Sequence, residues 1–293
     1  SGIVYHSLFF YNKALSRKLG VTKMPETWDE FKQLCDKAKD EHITPIMLDS
    51  AYEDMIADVL MVNALPEGQL RKTVTGAADA KPFTDPSYIR IFALERELAD
   101  KYFQPHWQAS KWPAAQQDFA TGKGLFVLCG SWLPGELRTV AVKDPAVFDL
   151  SVMPVPHFND QPKGTFNIEC SGWMVLKDGG QRDGAIKLLQ FLSEHWGRVI
   201  ALEDGNPVSF ARDPLPPDLN DIAGDIHNMK RAANEPVAEY GAKWKAYVYM
   251  QLHRDFFQAV AGDKEYITPE EFAAKLQKAT EEYRARGGEA YWQ

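Results

Sequence analysis

The sequence lacks features that mark several common classes of protein. It contains no run of roughly 18 or more apolar residues, so no segment is predicted to span a membrane as a helix. Basic residues are in deficit, with 33 Lys and Arg against 41 Asp and Glu, and the formal net charge is −8. Proteins that bind the phosphate backbone need a basic face, so we expect no nucleic-acid partner. No basic leader with an apolar stretch opens the chain, so we identify no signal segment in it.

Motifs for catalysis and metal binding are also scarce. The seven histidines include no His-x-x-x-His pair, and neither a Gly-x-Ser-x-Gly elbow nor a Walker loop occurs. The three cysteines, Cys35, Cys129 and Cys170, form no Cys-x-x-Cys pair, which argues against a zinc or dithiol redox site. Cys35 and Cys129 stand among apolar residues and are predicted to be buried free thiols, although a disulfide stays open. We therefore expect no catalytic residues, no metal and no cofactor.

Local patterns predict alternating helices and strands. Thr27 and Glu30 form a capping box before apolar residues at helical spacing, and Thr268 and Glu271 repeat that signal before the last helix. Further helices are predicted at residues 52–64, 86–102, 183–196 and within 239–260. Strands are predicted at residues 43–48, 124–130, 150–155 and 173–177, and a proline-rich loop at 213–221. This alternation favours an α/β architecture with a largely parallel sheet.

Short patterns in a fixed order extend over nearly the whole chain. They are Phe10-Tyr11-Asn12-Lys13, Pro25-Glu26-Thr27-Trp28-Asp29-Glu30-Phe31, Gly122-Lys123-Gly124, Gly130-Ser131-Trp132, Met153-Pro154-Val155-Pro156 and Ser171-Gly172-Trp173-Met174-Val175. Their order and spacing resemble family 1 of the extracellular solute-binding proteins, which serve carbohydrate ABC importers. This family includes maltose-binding protein. The resemblance implies a periplasmic-binding-protein-like fold of type II, with two α/β lobes joined by a hinge. In the family the Tyr-Asn-Lys pattern lies much further from the start, so the resemblance implies an incomplete N-terminal lobe here.

The resemblance also implies a division into lobes. Residues 7–165 and 232–293 would form the C-terminal α/β lobe, residues 166–231 a remnant of the N-terminal lobe, and residues 1–6 the first hinge crossing. An incomplete lobe would expose sheet edges and apolar surface. We therefore expect a complementary N-terminal fragment or self-association.

The function that the resemblance implies is extracytoplasmic binding of a sugar, in particular an oligosaccharide, for import. The partners would be the carbohydrate and the membrane subunits of an ABC permease, and the location would be the periplasm or the cell surface as a lipoprotein. Three alternatives remain: a fragment that binds nothing by itself or needs a partner, a receptor for a non-sugar solute, and a glycan-active enzyme using Glu169. A pyranose ring offers an apolar C–H face and a ring of hydroxyls, so its site needs aromatic and planar polar side chains.

Candidate ligand-binding residues follow from the resemblance. Trp132 and Ser131 come directly after an apolar strand, at the position of a Trp that stacks on sugar in the family. Tyr52 and Asp54 occupy the loop that supplies an aromatic and a carboxylate to sugar in maltose-binding protein. Tyr5 aligns with a ligand-contacting acid of that protein, so its phenol is a departure in chemistry.

The remaining candidates lie near the second and third expected crossings. Glu169 and Trp173 flank the second crossing. Trp244, Tyr247 and Tyr249 belong to an aromatic-rich helix where the family places a stacking ring. Because residues two apart diverge around a helix, at most one of Tyr247 and Tyr249 is expected to point at the ligand.

Overall fold

The computed structural model of the chain describes residues 2–50, 53–66, 68–141, 149–160, 167–172, 175–199, 244–259, 262 and 265–288. The strands in this part are β1 (Gly2–Asn12), β2 (Thr44–Met47), β3 (Gly124–Gly130), β4 (Leu150–Met153) and β5 (Asn167–Gly172). The first helices are α1 (Lys13–Lys18), α2 (Trp28–Asp40), α3 (Glu53–Ala64), α4 (Gln69–Thr75), α5 (Pro86–Tyr102) and α6 (Ala114–Ala120), with a short 3-10 turn at Trp107–Ala109. They are followed by α7 (Leu133–Ala141), α8 (Arg182–Val199), a π-helical segment (Lys245–Tyr249), α9 (Met250–Gln258) and α10 (Pro269–Ala285).

The sheet has β1 at its centre, in the order β2-β3-β1-β4, with β5 also paired to β1. β2 and β3 are parallel, whereas β1 is antiparallel to β3, β4 and β5. The prediction of a largely parallel sheet is therefore wrong. The prediction failed because hydrophobic patterns indicate burial and not direction, and because β1 was not among the predicted strands.

β1 is long enough to change partners along its length. Ser7–Tyr11 pair with β3 and Phe9–Asn12 with β4, whereas Gly2–Ser7 pair with β5. Ser7 is matched to Gly130 on one side and to Asn167 on the other. Among the described residues, β1 and β5 therefore continue beyond the rest of the sheet as a two-stranded ribbon.

The pleat of β1 sends successive side chains into two separate cores. Phe9 is fully buried against Trp28, Phe31 and Phe126 on one face, with 4.7 Å between the ring centres of Phe31 and Phe126. Phe10 is fully buried in the other cluster, on the opposite face. The sheet is thus covered by apolar layers on both sides.

Several local predictions are confirmed. In the first capping box Glu30 N donates to Thr27 Oγ1 at 3.3 Å and Thr27 N donates to Glu30 Oε2 at 3.2 Å. The second box, at Thr268 and Glu271, is formed in the same way. Helix α5 has the predicted bounds, and strand β3 does too. The free thiols Cys35 and Cys129 are both buried, as expected.

The strand predicted at residues 173–177 is wrong in its described part. Residues 173–174 lie outside the described residues, and residues 175–177 have no strand structure and lead into a turn. The apolar run Trp-Met-Val-Leu resembled a buried strand, but the residues that pair with β1 are those of Asn167–Gly172, the stretch before this run. The loop predicted at residues 213–221 lies outside the described residues, and the division into lobes remains a prediction.

Candidate functional site

The carboxyl ends of the parallel strands β2 and β3 meet at one edge of the sheet. Asp49 and Ser50 follow β2, and Ser131 and Trp132 follow β3. Because Gly130 is directly opposite Ser7, the β1–β5 ribbon leaves the sheet at this same edge. Open α/β sheets bind ligands outside the carboxyl ends of their strands. We call this region, formed by residues 49–50, residues 131–132 and the ribbon, the strand-end site.

Trp132 is seated on the last residue of β3. A Cβ atom at Gly130 would lie 2.0 Å from Cζ3 of the Trp132 ring, so the ring covers a position that only glycine leaves open. The half-buried indole packs against both apolar clusters. Ser131 is fully buried between Gly130 and Trp132. Trp132 therefore closes the end of the sheet and presents part of its ring to the strand-end site.

Replacing Gly130 by alanine is expected to displace the Trp132 ring. Overpacking of this kind costs about 1–3 kcal/mol, and a change in the near-ultraviolet circular dichroism should accompany it. The control is Gly184→Ala in α8, where an added Cβ meets nothing within 4 Å. Alanine in that helix should be neutral or stabilising. Wild-type spectra and stability for Gly130→Ala would contradict the seating of Trp132.

Asp49 ties a distant helix to the end of β2. It is buried, and its Oδ1 accepts from Ala115 N at 3.0 Å and from Ser110 Oγ at 3.1 Å. Helix α6 has no side-chain cap of its own, since it follows Pro113, so Asp49 supplies the cap from elsewhere in the chain. Ser50 adds a bond from its backbone N to Ser110 O at 3.1 Å. The segment from Ser110 to Ala115 is thereby fixed to the strand-end site.

A second polar group joins α6 to α7. With the Gln116 amide turned so that its nitrogen faces Glu136, that nitrogen donates to Glu136 Oε2 at 2.5 Å, and the amide oxygen accepts from Trp112 Nε1 at 3.3 Å. Burial raises the pKa of the Glu136 carboxyl, and the Trp112 N–H opposes that rise. Burial likewise raises the pKa of Asp49 against its bonds to Ala115 and Ser110. Sequence reasoning missed Asp49 and Glu136. The signal for Asp49 was the polar pair Asp49-Ser50 directly after the predicted strand at residues 43–48.

The raised pKa of Glu136 predicts a pH-dependent effect of its replacement. The folded state holds this proton more tightly than the unfolded state, so its stabilising contribution is present at low pH and is lost as pH rises from the ordinary carboxyl pKa through the raised one. Glu136→Gln should therefore raise the melting temperature more at about pH 7 than at about pH 4. Glu282→Gln, at an exposed carboxylate 4.0 Å from Arg286, is the control. An equal change at both pH values for Glu136→Gln would contradict the prediction.

The ribbon brings two predicted residues together. Tyr5 in β1 and Glu169 in β5 are directly opposite in the pairing, two residues from Ser7. Asp54 is in the first turn of α3, a helix that lies against β5. Tyr52 and Trp173 lie outside the described residues. The backbone thus collects Tyr5, Glu169, Ser131 and Trp132 at one edge, and the ligand roles of these residues remain predictions.

The aromatic helix needs a correction. Trp244 has none of its surface exposed; its ring stacks on Phe83 at 5.6 Å and on Tyr249 at 5.4 Å, and its Nε1 donates to Thr280 Oγ1 at 2.9 Å. Tyr249 is equally buried, so neither ring leaves a face for a sugar. We assign Trp244 and Tyr249 to the core, in place of the ligand role that the resemblance implied. Tyr247 points the other way and is 69% exposed, as expected for a residue two positions from Tyr249.

The part of the chain that the structure describes contains no helix with both the length and the apolarity needed to cross a membrane. Within the same described ranges, no group of three or more His, Cys, Asp or Glu side chains is arranged to hold a metal ion.

Solved structures share this fold. A chitin oligosaccharide binding protein superposes with a TM-score of 0.83 and 23% identity, covering 97% of this chain and 71% of its own. The bacterial solute receptor AcbH, described as having an exclusive preference for β-D-galactopyranose, superposes with a TM-score of 0.77 and 20% identity, over 97% and 71% of the two chains. The fold is therefore that of the type II periplasmic-binding-protein-like receptors.

Sequence comparison agrees. The multiple sugar-binding protein of Streptococcus mutans serotype c is 27% identical over 160 residues, which are 50% of this chain and 35% of that relative. The match thus spans about a third of the curated relative's length. The profile of the family described as "Bacterial extracellular solute-binding protein" matches residues 3–195, more than half of the chain. The chain belongs to the bacterial extracellular solute-binding protein family.

Proposed function

We propose that this chain binds a carbohydrate at the strand-end site for import by an ABC transporter. The observation that carries the proposal is the partly exposed Trp132, seated on Gly130 where the parallel strands end. Membership of a solute-binding family supports it, as do relatives named for binding sugars. Binding of this kind involves no covalent step.

The chemistry proposed for the site follows from what a sugar offers. The ring of Trp132 stacks on an apolar C–H face, and planar polar groups satisfy the hydroxyls. Glu169 and Tyr5, opposite each other in the ribbon, are the proposed polar contacts, together with Asp54 at the start of α3. Tyr52, Trp173 and the exposed Tyr247 complete the proposed set. Ser131, being buried, is assigned the positioning of Trp132.

The lobes and partners are part of the same proposal. Residues 7–165 and 232–293 form one lobe, residues 166–231 belong to the other, and the ribbon of β1 and β5 supplies two crossings between them. Closure of the lobes on the sugar presents the complex to a permease outside the cytoplasm. The continuous pairing of β1 with both the central sheet and β5 supports this division.

The proposal is tested by titrating the purified protein with sugars in a calorimeter and by thermal shift. The panel pairs N-acetylglucosamine with chitotriose, glucose with maltotriose, galactose with raffinose, and mannose with mannobiose. A ligand that binds the native state raises the melting temperature by mass action, so we expect a rise with one sugar class only. Spermidine and a dipeptide serve as non-sugar controls. Binding of a control in place of every sugar would replace the proposal by its non-sugar alternative.

We also propose that the chain associates with a complementary N-terminal fragment or with a second copy of itself. Leu188 in α8 and Leu176 before it are 57% and 76% exposed. Exposed apolar side chains that lie near each other favour association. Light scattering should show a concentration-dependent dimer that Leu188→Glu weakens, and a monomer at all concentrations would contradict self-association.

A further inference from the structure

Trp112 is an exposed indole that the fold holds in place. It is 49% exposed, yet its Nε1 donates to the Gln116 amide oxygen at 3.3 Å. The chain on either side is fixed as well, since Ser110 and Ala115 both donate to Asp49. A ring tied at its nitrogen and on both sides of its backbone has little freedom left to lose on binding.

Trp112 and Trp132 are joined by a short series of hydrogen bonds at the strand-end site. Trp112 contacts Gln116, whose amide also contacts Glu136 Oε2 at 2.5 Å. Glu136 is in the first turn of α7, and its backbone N donates to Trp132 O at 3.3 Å. Gln116 is buried, so both of these contacts lie away from solvent. The two indoles are therefore attached to the same pair of helix ends, α6 and α7, above the carboxyl ends of β2 and β3.

About half of the surface of Trp112 is open to a partner. Tryptophans are usually buried in the core or in an interface, as Trp28, Trp107 and Trp244 are here. The Nε1 of Trp112 is hydrogen-bonded within the protein, and exposed apolar ring surface remains for a partner. A sugar C–H face is such a partner, because its hydroxyls stay in contact with water or polar groups while the ring is covered.

We infer that Trp112 is a second stacking surface that makes the strand-end site select oligosaccharides over monosaccharides. The inference rests on the proposed function, with one sugar ring on Trp132 and a further ring on Trp112. A single pyranose covers one indole, so the energy of the second contact is available only to a ligand of two or more sugars. Trp112 is then a determinant of ligand length, separate from the residues that hold the first ring.

The test compares wild type, Trp112→Ala and Trp112→Phe by calorimetric titration with both members of each sugar pair named above. For the pair that binds wild type, Trp112→Ala should weaken oligosaccharide binding by roughly tenfold or more while leaving the monosaccharide unchanged, and Trp112→Phe should restore most of the loss. Oligosaccharide binding by Trp112→Ala at wild-type strength would overturn the inference and leave the proposed function intact. If wild type binds none of the sugars, both the inference and the proposed function are overturned.

A second measurement does not depend on how Trp112→Ala folds. Wild type labelled with 5-fluorotryptophan gives one fluorine resonance for each tryptophan, and Trp112→Phe identifies that of Trp112. The oligosaccharide should shift this resonance, whereas its monosaccharide should shift the resonance of Trp132 and leave that of Trp112 in place. A Trp112 resonance that the oligosaccharide leaves in place would overturn the inference even if Trp112→Ala is unstable.

Discussion

Trp132→Ala is expected to abolish sugar binding, with an affinity loss of about a hundredfold or more. Truncation removes the ring that would cover the C–H face of the sugar, and burying an aromatic face is the largest single contribution available at such a site. The ring also packs against both apolar clusters, so a loss of stability of about 3 kcal/mol or more should accompany it. Calorimetric titration well below the melting temperature separates the two effects.

Two further variants make the Trp132 experiment decisive. Trp132→Phe keeps an aromatic face over Gly130 and should retain most of the affinity. Trp28→Phe changes a tryptophan buried beside Phe9 and Phe31, and should lower stability without altering affinity. If Trp132→Ala binds sugar as wild type does, Trp132 only closes the sheet and the ligand binds elsewhere.

The second large effect is expected at Glu95 and His253, which join α5 to α9 inside the core. Glu95 Oε1 is 2.5 Å from His253 Nε2, and the two side chains are essentially inaccessible to solvent. The imidazole stacks on Tyr249 at 5.0 Å and on Phe257 at 5.2 Å, while Glu95 Oε2 has no hydrogen-bonding partner among the described residues. Removing one member leaves the other buried without its partner.

Glu95→Ala and His253→Ala should each lower the free energy of unfolding by about 3–5 kcal/mol, as measured by chemical denaturation. The double variant Glu95→Leu with His253→Leu should recover much of that loss, because apolar side chains of similar size replace the whole pair. Asp149→Ala provides the matched control: it breaks the exposed pair with Arg17, also at 2.5 Å, and should cost less than about 1 kcal/mol. Equal losses at the two pairs would show that burial is not what gives Glu95 and His253 their importance.

Local order was the part of the fold that the sequence predicted well. The capping boxes at Thr27 and Thr268 placed two helix starts correctly, because a cap is formed by residues three apart in the chain. The bounds of β3 followed from its flanking glycines, and one of these, Gly130, proves to be required by the ring of Trp132.

Contacts between segments far apart in the chain could not be predicted from the sequence. Nothing near Asp49 in the sequence indicates that it caps α6, a helix that begins more than sixty residues later. The same holds for the direction of β1, which is set by its pairing with β3, β4 and β5. The resemblance implies a stacking ring on the helix of Trp244, but Phe83 from another part of the chain covers the ring of Trp244. Only the described structure separates a core ring from a ligand-binding ring.

Strand β1 connects the β1–β5 ribbon to both apolar cores of the sheet. Its ribbon half carries Tyr5, and its sheet half sends Phe9 and Phe10 into the two opposite cores. Because one uninterrupted strand carries both halves, twisting the ribbon must rotate Phe9 and Phe10 within closely packed surroundings. Closely packed side chains resist small deformations, so they change from one discrete arrangement to another. In the proposed arrangement of lobes, the strand would therefore favour distinct open and closed positions over a continuous range of angles.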